Sequence, residues 1–132
     1  MLLALALLCS APAALAKEGT SGGGGGEDDG RHESRASGIC SKGAASRLRL
    51  RSRDGEIRVT FDLNRRRSGE RWRVVLVHER RVAWRGTLRT RVSTSTLHVR
   101  RTVADYDGPD LVTARASGPR GLTCTATATL PA

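Results

Sequence analysis

An all-β domain of two stacked antiparallel sheets is the fold that residues 38–132 predict, and three observations lead there. Apolar residues recur at every second position through segment after segment, as in RLRLRSR at Arg47–Arg53, which is the period of a strand with one buried face. Turn-forming clusters separate these segments at fairly even spacing: NRRRSG, HERR, RVSTS, DYDGPD and SGPRG. No window of about eleven residues carries a helical stripe. Some seven short strands in roughly 90 residues, with a tryptophan in the third, predict a β-sandwich of the immunoglobulin or fibronectin III kind, with a small closed β-barrel as the alternative.

Each strand follows from its own alternation. In RLRLRSR, Leu48 and Leu50 point inward while Arg47, Arg49, Arg51 and Arg53 point to solvent, and RDG at Arg53–Gly55 reads as a hairpin turn. EIRVTFDL then sends Ile57, Val59, Phe61 and Leu63 inward, with Glu56, Arg58, Thr60 and Asp62 outward. ERWRVVLVHE has a core face of Trp72, Val74 and Leu76, and Val75 and Val77 leave its other side apolar, so this strand is expected to be central. VAWRGTL groups Val82, Trp84 and Leu88; TLHVRRTV groups Leu97, Val99 and Val103. LVTARAS groups Val112, Ala114 and Ala116, and LTCTATATL groups Cys124, Ala126, Ala128 and Leu130.

Ahead of the domain stand two segments of different character. Residues 1–16, MLLALALLCSAPAALA, form an apolar run ending in small residues before the charged KEG. This is the pattern of a cleaved secretory signal peptide, too short to span a bilayer. No Lys or Arg precedes the run, which leaves room for an upstream start, and Leu8 argues against lipidation at Cys9. Residues 17–37 hold five consecutive glycines and no large apolar side chain, so they are expected to be a disordered linker. Cleavage leaves Cys40 and Cys124, an even pair that predicts one disulfide in an exported, monomeric domain.

The segments GERWRVVLVHERRVAWRGT and GPDLVTARASGPRGLTCTATATL, with Cys40 ahead of the first strand, resemble a group of small secreted immunoglobulin-like domain proteins of high-GC, actinobacterial-type bacteria. The resemblance covers about residues 38–130 and rests on Trp72, the LVTARA strand and the Cys40 and Cys124 pair. It implies the fold and an extracellular or envelope location, and it carries no activity. HERR departs from it where such hairpins tend to have Asn-Gly.

Charge is the strongest functional signal. Residues 38–132 contain 20 Lys and Arg against 8 Asp and Glu, a net +12, which generates a potential attractive to polyanions. Arg47, Arg49, Arg51, Arg58, Arg65, Arg66, Arg67, Arg71 and Arg73 are the candidate anion-binding residues, because guanidinium groups match phosphate and carboxylate geometry. Against this, 21 of the 23 basic residues are Arg, a skew that GC-rich codon usage produces without selection. Export and the absence of an RNA-binding aromatic signature make nucleic acid a poor partner. Anionic cell-envelope polymers or an acidic protein are the better ones.

Other constellations have plainer readings. His32, His78 and His98 lack metal-ligand spacing and read as surface histidines. Asp105, Asp107 and Asp110 of DYDGPD could offer oxygens to Ca²⁺, but the same residues build turns, and Tyr106 could pack at a corner. GTSGG at Gly19–Gly23 resembles a protease nucleophile loop but lies in the linker, without a rigid scaffold or a base. The expected role is non-catalytic binding without a cofactor, through the arginines. The alternative is a protein-interaction module using a sheet edge or the Val75 and Val77 face.

Overall fold

The computed structural model describes residues 32–132, so the expected signal peptide, Cys9 and the glycine run lie outside the described residues. The chain forms β1 (Glu33–Ser37), β2 (Ile39–Cys40), β3 (Ala44–Arg53), β4 (Glu56–Arg65) and β5 (Arg71–His78). It continues with β6 (Arg81–Arg89), β7 (Thr96–Ala104), β8 (Asp110–Ser117), a short 3-10 turn at Pro119–Gly121 and β9 (Thr123–Leu130). Two antiparallel sheets result, ordered β1-β3-β4-β7 and β2-β9-β8-β5-β6. Neither closes into a barrel; each keeps two edge strands.

The alternation seen in the sequence is the alternation of burial. Leu48, Leu50, Ile57, Val59, Phe61 and Leu63 of the first sheet and Trp72, Val74, Leu76, Val112, Ala114 and Leu130 of the second are at most 1% exposed. They form one continuous core. Each large apolar side chain so buried contributes about 1.5–3 kcal/mol. Gly118 lies against the face of the Trp72 indole. A Cβ on Gly118 would sit 2.6 Å from the ring.

Two expectations are corrected. The linker expected to run through Ser37 stops earlier, because Glu33–Ser37 pairs with β3 from Glu33↔Arg51 to Ser37↔Arg47. Ser34 and Ala36 supply the half-buried inward positions of β1, a signal too weak in apolar content to read as a strand. The chain then crosses at Gly38, so that β2 joins the other sheet and Cys40 faces Cys124 in direct register. These cysteines are bonded, with S–S 2.08 Å. Their separation of 84 residues gives the bridge about 4.5 kcal/mol on the chain-entropy model.

The second correction concerns Val82. Leu76 pairs with Trp84 but Val77 pairs with Val82, so Ala83 is an extra, unpaired residue. This β-bulge flips Val82 to the outer face, where it is 49% exposed beside Val77. Trp84 and Leu88 remain half-buried against the core. Strand β5 is interior, flanked by β8 and β6.

Candidate anion-binding face

The outer face of the β1-β3-β4-β7 sheet is built by the outward half of each strand's alternation. Registers fix its rows. Arg49 lies opposite Thr60, and Thr60 lies opposite Arg100. Arg51 lies opposite Arg58, while Arg47 faces Asp62 and Asp62 faces His98. From β1, Arg35 adds to the row of Arg49, and Glu33 to that of Arg51. Neighbouring rows are ~7 Å apart and neighbouring strands ~4.8 Å apart.

The acidic groups of this surface are mostly engaged. Glu33 accepts from Arg35 at 2.6 Å, Asp62 is hydrogen-bonded to Nδ1 of His98, and Asp54 faces Arg53 at 3.3 Å. Among the described residues, Arg47, Arg49, Arg51, Arg58 and Arg100 have no ion pair. Their field is felt nearby: the Glu33 carboxyl is held below its ordinary value, first by the Arg35 hydrogen bond and further by the charges of Arg35, Arg49 and Arg51, against a slight loss of hydration. Like charges directly opposite, as at Arg51 and Arg58, repel unless a counter-charge lies between them.

At the centre stands Thr60. It is only 2% exposed although it points outward, and its Oγ1 is buried without a hydrogen-bond partner among the described residues. Its cross-strand neighbours on both sides are arginines, and a guanidinium has donors only. Below this row, an open groove of about 810 Å³ runs past Ser46, Arg47, Asp62, Asn64 and His98, where β1 ends and the chain leaves the sheet.

The nine candidate arginines do not share one face. Arg47, Arg49, Arg51 and Arg58 share this face, but Arg71 and Arg73 lie on the outer face of the opposite sheet with Arg85, Arg89 and Arg115. The β4–β5 connection crosses between sheets, which separates residues close in sequence. Arg66 and Arg67 are exposed on that connection. Arg65 is withdrawn from solvent: its Nε donates to Glu70 at 2.8 Å, with side chains 7% and 9% exposed, and it also donates to the Gly43 carbonyl. That hydrogen bond, more than the charges of Arg65, Arg120 and Arg67, lowers the Glu70 carboxyl despite its desolvation. Sequence reading omitted Arg35 and Arg100. Arg100 shares parity with His98, so β7's alternation was the available signal.

The histidines and the Asp loop also differ from expectation. His78 is buried, not superficial: its Nε2 is 2.6 Å from Oδ1 of buried Asp110, and Tyr106 stacks on its ring at 4.8 Å. Asp105 joins Asp110, and its carboxyl is raised by lost hydration, then by the hydrogen bond to Asp110 and that group's charge. Ligand atoms of His78, Glu79 and Asp110 lie within 4.8 Å of one another. Each is committed within the fold, since Glu79 accepts the Leu111 N–H at 2.6 Å. The cluster clasps the end of β5 to the start of β8. Asp107 is exposed on the connecting loop.

Comparison of the chain with protein-family models, with curated proteins and with solved structures returns no match.

Proposed function

We propose that this is a secreted, non-catalytic binding domain that adheres to anionic polymers of the cell exterior through the outer face of the β1-β3-β4-β7 sheet. The observation that carries the reading is the register that gathers Arg47, Arg49, Arg51, Arg58 and Arg100 on one surface, without ion-pair partners among the described residues. The rigid sheet fixes where the five arginines start, and each planar guanidinium presents its donors as a ready-made fork. The disulfide favours an oxidising compartment. A sandwich of the fibronectin III kind is supported by the order β3-β4-β7 facing β9-β8-β5-β6, to which β1 and β2 are N-terminal additions.

The test is retention of the full chain on an immobilised anionic polymer across a salt series. Retention should fall steeply with salt, and Arg47→Gln/Arg49→Gln/Arg51→Gln should reduce the slope of log K against log salt by about 2–3. No retention at low salt, or equal slopes, would refute the reading.

A second reading has one observation of its own. The bulge at Ala83 places Val82 beside Val77, and with Val75 and Leu111, which is 43% exposed, they make an apolar island on the other sheet. A protein partner docking there would bind with little salt dependence.

A further inference from the structure

We infer that Thr60, with Arg49 and Arg100 on either side, is a seat for a single tetrahedral oxyanion, a phosphate or sulfate ester group of the bound polymer. The inference deepens the proposed polyanion reading and rests on it. Three observations combine. Thr60 is the midpoint of a row whose two neighbours are arginines, and those arginines start ~10 Å apart, two strand spacings. That span admits one oxyanion between two guanidiniums. Thr60 Oγ1 is buried with no partner, in a residue 2% exposed. Its hydroxyl proton has no acceptor among the described residues, and an arginine cannot supply one. A buried hydroxyl left so is destabilising, whereas valine would suit the same strand position by shape and propensity.

The geometry selects the ligand class. Once the side chains that cover Thr60 part, a tetrahedral group can direct two oxygens sideways, one to each guanidinium, and a third downward to accept from Thr60. A carboxylate has only two oxygens in one plane and cannot serve all three donors in this way. Phosphate and sulfate esters share the required chemistry.

The experiment is an NMR titration of the full chain with inorganic phosphate, inorganic sulfate and acetate, each at constant ionic strength. Phosphate and sulfate should give saturable shifts centred on Thr60, Arg49 and Arg100, with acetate weaker. Thr60→Val, which keeps the shape and loses the hydroxyl, should bind phosphate about tenfold more weakly while melting no lower than the wild type without ligand. Polymers bearing phosphate esters and polymers bearing sulfate esters, used in separate arms, identify the source. Unchanged phosphate affinity in Thr60→Val, or shifts spread over arginines of both sheets without saturation, would overturn the seat. In that case undiminished retention of the wild type on polyanions at low salt would leave the broader reading standing. Loss of retention by the wild type itself would overturn both.

Discussion

Arg65 and Glu70 show how a charge in this protein is diverted from solvent to the fold. Their bond is nearly enclosed, and it stitches the end of β4 to the start of β5 where the chain passes between sheets. Removing one partner of an enclosed pair strands the other, so Glu70→Gln should lower stability by about 2 kcal/mol at neutral pH. The Glu70 carboxyl is depressed in the fold. Its contribution is therefore full above the ordinary carboxylate range and disappears as pH falls through the folded value. Urea unfolding of wild type and Glu70→Gln should show a gap at pH 7 that closes in strong acid; a gap independent of pH would contradict this role. Sequence alone placed Arg65 among the ligand-binding arginines, because parity along one strand cannot reveal a carboxylate folded back from beyond the strand's end. For the same reason His78 read as superficial: Asp110, which encloses it, is 32 residues away.

The strands themselves were legible wherever their burial alternated with strong contrast. Leu48 to Leu63 and Val112 to Leu130 fell on the faces their period assigned, since a slip of one residue would expose the entire apolar set. Legibility failed where the ladder is irregular. The bulge at Ala83 changes parity within β6, so Val82 left the core although its spacing from Trp84 suited burial. On the edge strand β7, Arg101 takes an inward position between Val99 and Val103 and lies over the Trp84 ring at 4.5 Å. A charge turned inward on an edge strand closes the flank of the core and opposes edge-to-edge association. The β5–β6 hairpin turns at Glu79 and Arg80, both with positive φ, 48° and 65°. A two-residue turn of this kind favours Asn-Gly, and a side chain there is strained. Arg80→Gly should relieve that strain and raise stability by about 1 kcal/mol, with Glu79 left to hold Leu111. Thermal unfolding checks it; a lower melting temperature would mean that the Arg80 side chain contributes more than its backbone strain removes.

The distribution of arginine over the molecule leads to a behaviour that neither face has alone. Arg47, Arg49, Arg51, Arg58 and Arg100 cover one outer surface, and Arg71, Arg73, Arg85, Arg89 and Arg115 cover the opposite one. The sheets between them are ~10 Å apart and held together by the core they share. One linear polyanion cannot lie on both surfaces without bending around the domain. A long anionic polymer should therefore be bridged between protein faces, producing turbidity that peaks near charge equivalence and disappears as salt is raised. Light scattering with an anionic polymer tests this. Arg47→Gln/Arg49→Gln/Arg51→Gln should still bind through the remaining surface but give little scattering, and Arg73→Gln/Arg85→Gln/Arg115→Gln should do the same from the other side. Scattering undiminished in both triple variants would mean that bridging arises from charge spread over the whole surface, not from two opposed faces.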